Sequence, residues 1–93
     1  MPRTPTPEAV LRTFLVDGRL ASMPRAGRKR QIVLEYVVTT FEPGVRYTEA
    51  EVNAVLRAFW TDVAALRRYL VDAQLLERAG GVYWRIGGAV DVG

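Results

Sequence analysis

Eight cationic side chains are the residues of this chain best suited to chemistry, and the chemistry they suit is the binding of anions. Arg19, Arg25, Arg28, Lys29 and Arg30 crowd one short stretch, Arg67 and Arg68 are adjacent, and Arg78 stands just before Gly80-Gly81. A guanidinium presents a planar fork of donors that matches phosphate or carboxylate oxygens, and an ammonium adds a compact point charge. Residues 1–30 hold seven basic groups against Glu8 and Asp17, a balance of +5, whereas residues 31–93 hold six basic and eight acidic groups, a balance of −2. The positive field therefore belongs to the N-terminal third of the chain.

Other chemistries have little to work with. The chain has no cysteine and no histidine, which removes thiol ligands, disulfides and imidazole acid–base catalysis together. Asp17, Asp62 and Asp72 are the candidates for carboxylate chemistry, and their spacing fits no catalytic or metal-binding pattern. A binding domain without cofactor is expected, not an enzyme. With 93 residues, 49% of them hydrophobic, and a net charge of +3, the chain suits one small domain with modest stability. The expected bounds are 7–87, with residues 1–6 and 88–93 as flexible termini. No apolar run approaches the roughly 20 residues of a membrane helix, so no membrane partner is expected. The start MPRTPTPE lacks the apolar run of a secretory signal; together with the missing cysteines this makes a cytoplasmic location the default expectation.

The elements that must position these cations follow from local pattern. Thr6, Pro7 and Glu8 form a helix start, and Val10, Leu11, Phe14 and Leu15 follow at helical spacing. A helix over 7–16 is expected, ended by Asp17-Gly18, then an irregular connector over 18–27 anchored by Leu20 and Met23. The basic cluster opens a second helix over 28–41, with Ile32, Val33, Tyr36, Val37 and Phe41 as its apolar positions; the β-branched run Val37-Val38-Thr39-Thr40 could also read as strand. A very short strand at 45–47 precedes Thr48-Glu49-Ala50-Glu51, a capping-box signature for a helix over 48–59. Thr61 can cap the next helix, which repeats Val63, Leu66, Leu70 and Ala73. From Leu75 to Ile86 the period falls to two around Gly80-Gly81, the pattern of a hairpin; Leu76, Val82, Trp84 and Ile86 are expected on its core face, with Glu77, Arg78, Tyr83 and Arg85 outside.

Helix, tight turn, helix and glycine-turned hairpin in that order make the expected fold α+β: winged helix-turn-helix-like, with an additional N-terminal helix and a C-terminal β-hairpin. Such a fold serves nucleic-acid binding and protein docking alike.

The strings YTEAEVNAVLRAF and DVAALRRYLVDAQLLERAGGVYWRI, with FLVDGRLASMPRAGRKRQIVLEYV before them, resemble a bacterial domain of unknown function, family 2087. The resemblance covers roughly residues 10–86. It rests on Gly18-Arg19-Leu20, Pro24, Lys29-Arg30, Tyr47-Thr48-Glu49, Val52-Asn53, Asp62, Leu66-Arg67-Arg68, Leu70-Val71-Asp72 and Tyr83-Trp84-Arg85. It implies a domain found alone or appended to helix-turn-helix transcriptional regulators, and no biochemical activity. The resemblance implies members with a histidine after the phenylalanine of the first motif helix; this chain has Trp60 there, so no histidine-dependent ligand or metal role is expected.

The resulting expectation is a transcription-associated, nucleic-acid-binding regulatory domain. Arg19, Arg25, Arg28, Lys29, Arg30, Arg67, Arg68 and Arg78 would form its electrostatic footprint on double-stranded DNA. The alternative is a protein-interaction or anion-sensing module, with a protein partner or homodimer held through Tyr36, Tyr47, Trp60 or Tyr83. For Arg67 and Arg68 the competing reading is local salt bridging, as between Arg68 and Asp72 at i,i+4. For the cluster at 25–30 it is a solvated helix start, although three cations there oppose the helix dipole. Arg67 and Arg68 locked by carboxylates would favour the protein-contact reading. Asn53 is expected at the surface or against backbone.

Overall fold

The computed structural model describes residues 6–87; the expected flexible termini otherwise lie outside the described residues. The element order is α1 (Pro7–Phe14), β1 (Leu15–Val16), β2 (Arg19–Leu20), α2 (Gly27–Val38), β3 (Arg46–Thr48), α3 (Glu49–Arg57), α4 (Val63–Asp72), β4 (Leu76–Ala79) and β5 (Val82–Arg85). The mixture of four helices with small antiparallel sheets is the expected α+β class. Strands β3, β5 and β4 form one sheet in that order, with β5 in the middle.

Helix α1 starts as its sequence dictates. The Thr6 side chain accepts from Ala9 N–H, and Pro7 and Glu8 occupy the first turn. It ends two residues earlier than expected, because Leu15 and Val16 leave the helix to pair with Leu20 and Arg19. The two residues between the strands, Asp17 and Gly18, have φ of 53° and 78°, the left-handed pair that a two-residue hairpin turn requires and that Asp-Gly adopts readily. The connector is thus partly a hairpin. Leu20 is buried and Met23 packs against the core, so the expected anchors hold.

In α2 the helical alternative prevails through Val38. Val33, Leu34, Val37 and Val38 are all buried, and this burial outweighs the weak helix propensity of the three valines. Thr39 and Thr40 end the helix, their hydroxyls donating to the Tyr36 and Val37 carbonyls. Phe41 lies beyond the helix and is fully buried, edge-on to Tyr47 at 5.1 Å between ring centroids.

Thr48 closes β3 and caps α3. Its hydroxyl accepts from Glu51 N–H at 3.1 Å while the Glu51 carboxylate accepts from Thr48 N–H at 2.8 Å, which completes the capping box. Val52 and Leu56 are buried, and Val55 and Phe59 flank them. At α4 the cap is Asp62, whose Oδ1 accepts from Ala65 N–H, and not Thr61. A carboxylate there also meets the positive helix end, which a hydroxyl does not. Leu66 and Leu70 are the buried stripe of α4.

The hairpin forms as expected, with Gly80 and Gly81 at φ of 58° and 80°, and Leu76 is inside as expected, but the faces of β5 are reversed. Leu76 and Tyr83 are buried, Trp84 is half-buried and Ile86 is 48% exposed. The pairs Tyr47↔Tyr83, Arg78↔Tyr83 and Leu76↔Arg85 put Leu76, Arg78, Tyr83, Arg85 and Tyr47 on one side of the sheet, because residues opposite each other share a face. That side meets the helices. Trp84 lies on the outer side, where its ring is covered by the Arg46 guanidinium at 4.7 Å.

Candidate functional site

The reversed hairpin decides where the cations go. Arg78 pairs with Tyr83, so it stands on the helix-facing side at the rim of the sheet. Arg67, Arg68, Val71 and Asp72 approach from α4. With Arg78 and Tyr83 they line a shallow depression of about 290 Å3. Its chemistry is dominated by three guanidinium groups against one lining carboxylate.

Behind it runs a polar network that ties α3, α4 and β5 together. The buried Tyr83 hydroxyl donates to Glu49 Oε1 at 2.9 Å. Arg67 donates through a terminal nitrogen to Asn53 Oδ1, and its Nε lies 4.0 Å from the same Glu49 oxygen. The two links differ in weight. A hydrogen bond to a charged guanidinium contributes about 1.5–3 kcal/mol. An ion pair at the limit of range, with Glu49 half exposed, contributes at most about 1 kcal/mol. Asn53 therefore does more to hold Arg67 than Glu49 does. Glu49 and Asn53 occupy successive turns of α3, on the flank that faces α4. Asn53 is half-buried and takes a side-chain partner, which corrects the expectation of a surface or backbone-contacting amide.

Arg78 is exposed, and the neighbouring Tyr83 phenol, by hydrogen bond and charge, raises its pKa further above an already high value. Neither Arg68 nor Arg78 makes an ion pair within 4 Å among the described residues; the expected Arg68–Asp72 bridge is absent, and Arg67–Glu49 stands in its place.

The remaining cations divide sharply. Arg19 donates to the carbonyls of Arg57 and Ala58 at 3.0 and 3.1 Å, so it closes the C-terminal end of α3, where a positive charge also suits the helix dipole. The adjacent Leu20 N–H donates to Phe59 O at 2.8 Å, which fastens β2 to the same end. Arg30 donates through Nε to the Pro24 carbonyl at 2.9 Å, and its guanidinium lies 4.2 Å from the centre of the Tyr69 ring on α4. These two, with Arg67, are built into the fold. Arg25, Arg28 and Lys29 are exposed around the start of α2, whose cap residue Ala26 offers no side-chain hydrogen bond and whose first turn holds no acidic residue.

A second depression, lined by Gly27, Arg30, Gln31, Tyr69 and Asp72 among others, lies between the start of α2 and the far half of α4. Asp72 lines both depressions. The two depressions therefore adjoin across α4, with Asp72 between them, and Arg30 is the cation that lines the second.

Of the aromatic candidates for a protein interface, Tyr83 is buried and Tyr47 and Trp60 are partly buried against the core. Only Tyr36 is substantially exposed, at 40%. It lines a mainly apolar groove with Pro7, Leu11, Ile32, Glu35 and Thr39.

Sequence patterns did not disclose Glu49 and Asn53 as part of this arrangement. Their signal was indirect: both stand in the strings that carry the family resemblance. The arrangement brings together Arg67, Arg68 and Arg78 from the expected cations, places Arg25, Arg28, Lys29 and Arg30 at the neighbouring helix start, and leaves Arg19 apart at the end of α3. Among the described residues no helix is long and apolar enough to cross a membrane, and no three carboxylates cluster as metal ligands would.

Searches of curated proteins and of solved structures returned no match. Residues 19–85 match the model of a family described as an uncharacterized protein conserved in bacteria; the match begins at the arginine that closes α3, leaves α1 outside, and ends with the last residue of β5. On that match the chain belongs to the bacterial family DUF2087.

Proposed function

We propose that this chain is a nucleic-acid-binding regulatory domain of winged-helix type, with a binding and not a catalytic role. Strand β3, helices α3 and α4 and the β4–β5 hairpin correspond to the winged unit, with α4 as the helix that faces the duplex. The observation that carries the reading is the convergence of Arg68 from α4 and Arg78 from the hairpin on one depression, both exposed and neither ion-paired. Helix and hairpin cations on a common face are what a duplex backbone needs to be gripped at two points.

The same geometry favours contact with the backbone over reading of bases. The first turn of α4 offers Val63, Ala64 and Ala65, which carry no side-chain donors or acceptors for base edges. Arg67, the best-placed reader, is held by Asn53 and Glu49. The reading therefore specifies sequence-tolerant binding that weakens with salt. A shift assay on random-sequence duplex across a salt series tests it. A dissociation constant of about 10⁻⁴–10⁻⁶ M that weakens steeply with salt is expected for this mode. Absence of any complex at low salt, with the protein shown to be folded, sinks it.

A second reading, a protein-interaction module, has two observations in its favour: the Arg67–Glu49 ion pair, which meets the expected carboxylate lock at one of the two arginines, and the groove between α1 and α2 beside the exposed Tyr36. Sedimentation of the protein over a concentration range, repeated with Tyr36→Ser, separates self-association through that groove from a monomer.

A further inference from the structure

We infer that the depression between α4 and the β4–β5 hairpin is a seat for a single phosphate group. Arg78 and Arg68 are its movable donors, and Arg67 is a fixed cation at its floor. The inference deepens the proposed function, since a duplex would supply the group as a backbone diester, but it does not require it: a free phosphate monoester offers the same tetrahedral oxyanion.

Three features support this. First, the lining is chemically one-sided. Arg67, Arg68 and Arg78 face the space against Asp72, with Glu49 behind the wall and occupied by Tyr83. Second, the two kinds of cation have complementary properties. Arg67 is 19% exposed and oriented by Asn53, so its charge is already in place before an anion arrives. Arg68 and Arg78 are exposed and unpaired by any carboxylate within 4 Å, so no ion pair within the protein has to be broken when they turn onto an anion. Third, Tyr83 cannot compete for the anion. Its hydroxyl proton is donated to Glu49, so it has none left to offer an anion. The phenol is therefore not itself a ligand to the anion. Bidentate guanidinium–phosphate contacts from the two movable arginines share the free oxygens, two in a diester and three in a monoester, and a depression open to solvent leaves the ester oxygens room to continue outward.

The test is a titration of isotopically labelled protein by NMR, observing the arginine Nε–H signals, with inorganic phosphate, with glycerol phosphate and with a random-sequence duplex. Ionic strength is held constant with chloride so that general screening does not change. The expected result is that both phosphates shift the Arg68 and Arg78 signals. The double variant Arg68→Gln/Arg78→Gln, whose replaced groups are solvent-exposed and whose fold is checked by near-UV circular dichroism, should weaken phosphate binding about tenfold or more, or about 1.4 kcal/mol per tenfold. If the duplex displaces phosphate from these arginines, the source is the nucleic-acid backbone and both readings stand. If phosphate and glycerol phosphate bind there but the duplex does not bind at all, the seat stands, a free monoester is its ligand, and the nucleic-acid reading fails. If the duplex binds while phosphate leaves Arg68 and Arg78 unperturbed, the seat is overturned and the nucleic-acid reading survives. Shifts confined to Arg25 and Arg28, or no shifts at all, also overturn it.

Discussion

Arg67 and Arg68 are neighbours in sequence and opposites in use. Arg67 is turned inward onto Asn53 and Glu49 and joins α4 to α3; Arg68 stands in solvent at the edge of a depression it shares with Arg78. The same division runs through the whole molecule. Arg19 and Arg30 are spent on helix-end carbonyls, a proline carbonyl and an aromatic ring, whereas Arg25, Lys29, Arg68 and Arg78 are exposed to whatever comes to the surface. The lesson is that charge counted along a chain is not charge available to a partner. A guanidinium has five donors and a long apolar stem, so it can be a structural element as readily as a ligand-binding one.

The division can be broken most forcefully at Arg67. Replacing it with alanine should cost about 1–2 kcal/mol of stability in urea denaturation, because it strands the half-buried Asn53 oxygen and loosens Glu49. Arg67→Lys should recover only part of this, since one ammonium cannot reproduce the fork that reaches both partners. A loss too small to resolve would remove Arg67 from the structural group.

Next in size is Arg19→Ala, which uncovers the last carbonyls of α3. About 0.5–1 kcal/mol is expected, at the upper end at low salt, because the contact is exposed and is partly an interaction with the helix dipole. Its affinity for a polyanion should change little. If Arg19→Ala instead leaves the unfolding midpoint alone and weakens duplex binding, Arg19 belongs with the surface cations and the division is wrong at that residue.

The smallest effect expected is at Asp72, the carboxylate that lines both depressions. Asp72→Asn should tighten duplex binding about two- to threefold at low salt, with the gain fading as salt rises, since the interaction is between exposed charges within a Debye length. It should not destabilise the protein, because a negative charge in the last turn of a helix is unfavourable to begin with. Weaker binding after this substitution would mean that the two basic groups do not act as one face.

Much of this fold is written locally. Thr48 and Glu51 three residues apart announce the start of α3, and both glycine-bearing turns, Asp17-Gly18 and Gly80-Gly81, stand where the chain needs left-handed backbone. Less legible was which side of the hairpin faces inward. Alternation assigns Trp84 and Tyr83 to opposite faces but does not say which face is buried, and the apolar series Val82, Trp84, Ile86 favoured that of the tryptophan. The choice is made by pairing of β5 with β3, which places Tyr83 opposite Tyr47 and leaves Trp84 to stack with Arg46. The polar network was illegible for the same reason. Asn53 meets Arg67, and Glu49 meets Tyr83, only after α3, α4 and the sheet have packed, and nothing in residue spacing encodes an encounter between separate elements. The surface role of Arg68 and Arg78 was visible as charge, but their convergence depended on the face that Arg78 inherits from Tyr83.

The central claim is that anion binding resides in the exposed cations beside α4 and the hairpin and not in the cations built into the fold. Its most direct test is the salt dependence of duplex binding by the double variant Arg68→Ala/Arg78→Ala, set beside the unaltered protein. Each phosphate contact contributes about 0.9 to the slope of log affinity against log salt. The account predicts an affinity at least about tenfold lower at low salt and a slope shallower by about 1.8, with the unfolding midpoint unchanged. An affinity and slope identical to those of the unaltered protein, in a double variant that is fully folded, would contradict it.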